Sequence, residues 1–146
     1  MNGTRRLLIT FEPTFGNIDM VRAAVRGVCT DFFQLADSAE SVMDFCLIVT
    51  ELMNNAVEHS ASGLLDAEIL LSDNEAVFCL ISEGTGFDPT HTAVMPGLEQ
   101  DGELPDGGYG LALIQALADG MEYERRENRN MVTLRKRFPV NPGKEQ

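Results

Sequence analysis

Residues 51–59 read ELMNNAVEH and set a group of hydrogen-bonding and ionisable side chains into an otherwise apolar segment. On a helix of about 3.6 residues per turn, Glu51, Asn55 and His59 fall on one stripe with Asn54 and Glu58 beside it. Phe45, Val49, Leu52 and Ala56 form a neighbouring apolar stripe. The spacing predicts a helix that packs one face into a core and offers the other to a ligand. Glu58 and His59 also read as ordinary last-turn residues, His59 being favoured by the negative end of the helix dipole. Asn54 and Asn55 resist that explanation, because Asn is a weak helix former and two in succession cost stability unless their amides are used. A carboxylate one turn before an amide oxygen suits a hard cation beside a general base, which is magnesium–nucleotide chemistry.

The segments around this helix supply a sheet and two glycine-rich stretches. The helix is expected to start at Asp37 or Ser38, run to about Ser60 and stop at Gly63. Before it, residues 5–12 alternate as a strand with Leu7, Ile9 and Phe11 on one side, ended by Pro13 and Gly16. A first helix follows with Asn17 as N-cap and an apolar stripe of Ile18, Val21, Val25, Val28, Phe32 and Leu35. After it comes a hairpin, Ala67 to Ser72 and Glu75 to Ser82 about a turn at Asp73 and Asn74. The almost continuous apolar run AVFCLIS marks its second strand as central in a sheet. That strand leads into Ser82, Glu83, Gly84, Thr85, Gly86, Phe87 and Asp88, where two glycines spaced by one residue permit close backbone approach to a ligand or make a tight turn. Residues 88–107 lack periodicity and read as a lid or a disordered segment. Gly107, Gly108, Tyr109 and Gly110 then feed a short helix with Leu111, Ile114 and Leu117 in register. Glycines at a helix N-terminus make either an anion site or a hinge. A second hairpin, Met121 to Arg126 and Met131 to Phe138 about a turn at Glu127 to Asn130, precedes a polar tail at 139–146 expected to fray.

The 146 residues suit one domain spanning 1–146, with an ordered core at 5–138. No apolar run reaches about 18 residues, so no membrane span is expected, and the N-terminus reads as a strand. Cys29, Cys46 and Cys79 each sit in an apolar periodic segment with no short spacing between them, as buried free thiols of a reducing cytoplasm would. The net charge is -12, and its layout is informative: all 11 basic residues lie at 5–26 or 125–144, while 27–124 carries 19 acids and no Lys or Arg. Direct nucleic-acid binding is disfavoured. A polyphosphate held by the middle of the chain would need metal, backbone amides or a base lent from elsewhere.

Three spaced elements, E-x-x-x-N-A-x-x-H at 51–59, G-x-G-F-D at 84–88 and G-G-Y-G-L at 107–111, together resemble the N, G1 and G2 boxes of the GHKL or Bergerat-fold ATPases. Compact length and element order resemble one branch in particular, the RsbW-type anti-sigma factors, which are serine-protein kinases of bacterial partner-switching systems. The resemblance covers about residues 5–138. It implies an α/β two-layer sandwich, with helices on one face of a mixed, largely antiparallel sheet. It also implies ATP and Mg2+ as cofactors, with Glu51 as general base and Asn55 as Mg2+ ligand. Asn54 and His59 would support the nucleotide site, Ser82, Gly84 and Gly86 would lie beside the adenine, and Gly108, Tyr109, Gly110 and Leu111 beside the phosphates. The implied partners are a sigma factor and a small STAS-type anti-anti-sigma protein, with homodimer assembly and a cytoplasmic location.

Two positions depart from the pattern. The G1 box of the family opens with Asp, whose carboxylate accepts a hydrogen bond from the adenine amino group, and this chain has Ser82 there, a weaker acceptor. The lid has no basic residue, with Tyr109 where many relatives place Arg. These departures keep a second expectation open, a binding module that retains the fold and has lost catalysis. A third, a detached sensor-kinase domain acting on histidine, fits less well for want of a dimerisation helix pair.

Overall fold

The computed structural model describes residues 3–59, 63–83 and 108–139. Five strands form one sheet in the order β1-β2-β3-β5-β4, comprising β1 (Arg5–Phe11), β2 (Leu65–Ser72), β3 (Glu75–Glu83), β4 (Gly120–Arg126) and β5 (Arg129–Arg137). Every pairing is antiparallel, so among the described strands the sheet has no parallel component of the kind a mixed sheet implies. The helices α1 (Phe15–Phe33), α2 (Glu40–His59) and α3 (Gly108–Leu117) complete the two-layer α/β sandwich. β3 occupies the centre, as its apolar run requires. Its neighbours β2 and β5 send Leu65, Ala67, Ile69 and Leu71, and Val132 and Leu134, into the same core as Ala76, Phe78 and Leu80. The opposite sheet face carries Glu68, Asp66 and Arg135 in ion pairs, which keeps that side wetted.

Two boundaries differ from expectation for local reasons. The first helix starts three residues early because Thr14, not Asn17, is the N-cap. Its backbone is extended and its side-chain oxygen accepts from the Asn17 amide at 3.2 Å, while the Asn17 side chain donates back to the Glu12 carbonyl at 3.0 Å. The second hairpin closes more tightly than the expected four-residue turn. Pairing continues to Arg126 and Arg129, leaving only Glu127 and Asn128 in the turn, with Glu127 at φ 55°. Asn130 therefore belongs to β5.

The two ends of the sandwich differ in chemistry. At one end Phe138 leaves β5 and stacks on Phe33 of α1 with centroids 4.3 Å apart, and it meets Phe45 of α2 edge-on at 5.8 Å. Its amide donates to the Asn74 carbonyl in the β2–β3 turn. At the other end β3 and β4 finish, β2 and β5 begin, and α2 runs out a few residues before Leu65. α3 ends just before β4 begins at the aromatic end, so its first turn points to the far end. The site end thus collects the second half of α2, the first turn of α3 and the end of β3.

The three cysteines are free and buried. Burial pushes the Cys29 thiol up to about 12, with the nearby Cys46 adding to the shift. No described helix is long and apolar enough to cross a membrane. Residues 84–107, which include Gly84, Gly86 and the expected lid, and 140–146 of the expected tail lie outside the described residues.

Candidate nucleotide site

Among the described residues only three polar side chains are buried, Asn55 (3% exposed), Ser82 (6%) and Asn130 (3%). All three lie at the site end of the sandwich. Burying a polar group without a partner costs about 1–3 kcal/mol, so such a concentration in an otherwise apolar interior calls for a use.

α2 supplies the first part. Phe45, Val49, Leu52 and Ala56 are buried as their stripe requires, and Glu51 and Asn54 stand half-buried at its margin, with Glu58 exposed. Asn55, expected on the ligand-facing stripe, is turned further inward, and its Nδ2 has no hydrogen-bond partner among the described residues. An amide whose oxygen and nitrogen can exchange places by a flip, with one end unpartnered in a buried position, fits a residue built to meet a ligand. His59 closes α2, and its side chain lies outside the described part.

α3 supplies the second part. The glycines expected to feed the helix are its first turn: Gly108, Tyr109 and Gly110 are helical. A first turn leaves amide N–H groups without intrahelical partners and carries the positive end of the dipole, so it suits an anion. Gly110 is buried directly against Glu51. A Cβ built there would fall well inside 3.0 Å of Glu51 Oε1, closer than real Cβ atoms come to any neighbour, with Glu51 Cδ at 3.4 Å. The glycine is thus required for the carboxylate to sit against α3. Burial, and secondarily the charge of Glu58, raises the Glu51 carboxyl above the ordinary glutamate range. Such a shift makes it a stronger proton acceptor when ionised. Leu111, expected beside the phosphates, has its side chain in the hydrophobic core, where it packs α3 onto the sandwich.

The end of β3 supplies the third part. Ser82 faces the helices in step with Ala76, Phe78 and Leu80, and it stands opposite Asn130 on β5. Asn130 Oδ1 accepts from Tyr123 Oη at 2.7 Å and from Arg125 Nη1 at 2.6 Å, both on β4. Sequence reasoning missed this trio because it placed Asn130 in a turn. Only a two-residue turn at Glu127 and Asn128 puts Asn130 in register with both Arg125 and Ser82.

No group of three or more His, Cys, Asp or Glu among the described residues could hold a metal ion. A cation here would depend on the Asn55 amide together with oxygens of a bound ligand. That donor set suits Mg2+, which prefers oxygen and commonly takes few protein ligands.

The profile of the family described as Histidine kinase-like ATPase domain matches residues 11–136. The chain belongs to that family. It is similar to the anti-sigma F factor of Clostridium beijerinckii, 23% identical over 140 residues, covering 92% of this chain and 96% of that one. It is also similar to the serine/threonine-protein kinase BtrW of Bordetella bronchiseptica, 28% identical over 101 residues, covering 66% of this chain and 71% of the relative. Among solved structures, the RsbU and RsbW domains of Rv1364c from Mycobacterium tuberculosis share the fold at a TM-score of 0.61 and 20% identity. That similarity covers 94% of this chain and only 33% of the larger one. Family, relatives and fold together set this ATPase domain in the RsbW-type branch.

Proposed function

We propose that this chain is a single ATP-binding domain acting as a cytoplasmic anti-sigma regulator of a bacterial partner-switching system, transferring phosphate from ATP to a serine of a small anti-anti-sigma partner. The observation that carries the reading is the Glu51 carboxylate packed on Gly110 in the first turn of α3, one helical turn from Asn55 with its unpartnered buried amide.

In this reading the amides of the α3 first turn receive the phosphates, and Ser82 lies at the base. Asn55 would hold Mg2+, which would supply positive charge against the transferring group. Glu51 takes the proton of the partner's serine hydroxyl as that oxygen bonds the terminal phosphorus and the bond to the β-phosphate oxygen breaks. The raised basicity of Glu51 suits the task, and Gly110 keeps its carboxylate at the phosphate-binding turn. The sigma factor, the serine-bearing partner and a homodimeric assembly belong to the same proposal, supported by similarity to an anti-sigma F factor and a serine/threonine kinase.

The test is a thermal-shift titration with ATP, with and without Mg2+, beside Asn55→Ala. A ligand at about a hundredfold over its Kd should stabilise the fold by about 2.7 kcal/mol. A Mg2+-dependent rise lost in Asn55→Ala, followed by phosphotransfer to the serine-bearing partner, bears the proposal out, and no shift at millimolar ATP refutes it. Ser82 favours a second reading, a binding module of this fold that regulates its partner without phosphotransfer, since a hydroxyl replaces the carboxylate expected at the base. In that case partner binding persists while phosphotransfer is absent at saturating ATP.

A further inference from the structure

We propose that the cleft between α1 and α2 is a second binding site, separate from the nucleotide site, for a short apolar peptide held by both of its charged termini. The inference goes beyond the nucleotide reading and does not rest on it. The cleft measures about 600 Å³, within the range of small-ligand sites, and is lined by both helices and their connection. Val42 and Cys46 are buried at its floor, while Met43 (56% exposed) and Leu47 (38%) line it with their apolar surface facing solvent. A single exposed leucine or methionine is ordinary. Two of them one helical turn apart in a concavity leave a continuous apolar surface that a ligand can cover.

Charge selects the occupant. Arg22 and Arg26 line the cleft from α1, Asp37 from the connection and Asp44 from α2. Two of the four have partners: Arg22 donates to Asp19 at 2.9 Å, and Asp44 lies 3.8 Å from Lys136. The side chains of Arg26 and Asp37 make no ion pair or hydrogen bond among the described residues, with each other or with anything else. Burial raises the Cys46 thiol, Arg26 and then Arg22 pull it down and Asp37 pushes it up, so charges of both signs reach the floor. Arg26 stands seven residues before the end of α1 and Asp37 four after it. Seven helical residues span about 10 Å, and an extended chain covers about 3.3–3.6 Å per residue. Three residues therefore bring an ammonium to Asp37 and a carboxylate to Arg26, whose guanidinium suits bidentate pairing. The peptide's apolar side chains then cover Met43 and Leu47. A single amino acid, with its two charges one residue apart, cannot meet both groups.

The test is calorimetric titration of the full chain with trileucine, its N-acetyl form, its C-terminal amide and free leucine, comparing wild type with Arg26→Gln, Asp37→Asn and Leu47→Asp. All three positions are solvent-exposed, so the variants should fold. Wild type is expected to bind trileucine saturably at one site, each blocked peptide about tenfold more weakly, and leucine not at all. Arg26→Gln should weaken trileucine about tenfold and leave the affinity for the amide unchanged. Asp37→Asn should do the same for trileucine and leave the N-acetyl form unchanged, and Leu47→Asp should abolish binding of every peptide. This pairing of each variant with one blocked terminus is the deciding readout, because a general disturbance of the cleft lowers all affinities together. Blocked and free peptides binding equally would mean that the cleft takes an uncharged protein segment, and would overturn the proposal. Leucine binding as well as trileucine, or no heat with trileucine up to its solubility limit, overturns it too. None of these outcomes touches the nucleotide reading, which the Mg-ATP titration decides.

Discussion

Gly110→Ala probes the contact on which the candidate site turns. The added methyl would fall inside 3.0 Å of Glu51 Oε1, with Glu51 Cδ at 3.4 Å and Cβ at 3.6 Å, so the carboxylate must swing away from α3 while the stem stays in contact. Overpacking of this kind costs about 1–3 kcal/mol, and Ala in place of Gly in a helix returns up to about 1 kcal/mol. The net loss is then about 0–2 kcal/mol, and each kcal/mol lowers Tm by roughly 2–4 °C in a chain near this size. Activity should suffer far more, because a misplacement of about 1 Å at a reacting group costs on the order of a hundredfold in rate. Calorimetry and phosphotransfer on one preparation separate the two effects. Gly120→Ala is the control: its Cβ would meet the Arg135 side chain at 3.5–3.8 Å, ordinary contact, and activity should be unchanged. If Gly110→Ala keeps wild-type turnover, Glu51 does not act as base from the position it holds against α3.

Asn55→Leu removes the unpartnered buried amide and keeps its branched outline in a larger side chain, so overpacking offsets the relief of the amide and the ligand-free protein should unfold near the wild-type temperature while the Mg-ATP shift disappears; a Mg-ATP shift that survives would contradict a role for the amide. For Glu51, burial first and Glu58 second hold the folded pKa above the unfolded value. Stability from this group is therefore full below the unfolded pKa and lost as pH rises through the folded one. Glu51→Gln should raise Tm above that window and lose its advantage in acid, which a pH series of melts checks. Glu58→Gln removes one cause of the shift and should move the acid limb of the pH–rate profile to lower pH. Lys136, 14% exposed, donates to the Leu117 carbonyl at 2.7 Å and lies 3.8 Å from Asp44, tying β5 to both α3 and α2. Lys136→Met should cost about 1.5–3 kcal/mol in denaturant unfolding, the range for a charged hydrogen bond, and an unchanged midpoint would show the tie to be idle.

The sandwich was legible because its elements announce themselves through period and punctuation. AVFCLIS could only be a strand with sheet on both sides, and the two stripes of α2 had to meet a core and something else. What escaped was set by contacts between segments far apart in the chain. Asn17 read as the N-cap, whereas Thr14 caps the helix and the Asn17 side chain bonds back to Glu12. Asn130 looked like turn chemistry, since Asn suits turns, and only the register of β5 against β3 and β4 makes it a buried partner of Ser82. Gly110 was readable as a glycine that feeds a helix, whereas the carboxylate of Glu51 set against it, which a Cβ would displace, is a tertiary fact.

The fold also explains how so acidic a chain can present a site for a polyphosphate. Its cations are committed elsewhere: Arg5 to Asp31, Arg22 to Asp19, Arg126 to Glu124, Arg135 to Glu75 and Glu122, and Lys136 to Asp44. At the site end Arg125 donates to Asn130 at the β3–β5 corner beside Ser82. Residues 27–124 hold no Lys or Arg at all. Phosphate charge must then be met by the amides of the α3 first turn and by a metal ion, and a helix terminus alone contributes about 0.3–1 kcal/mol near the surface. In the proposed function a metal ion would be the dominant counter-charge, and Asn55, whose Nδ2 has no partner among the described residues, is the side chain that would hold it. On that reading ATP affinity should fall steeply when Mg2+ is removed, and equal affinity with and without the metal would contradict the assignment of Asn55.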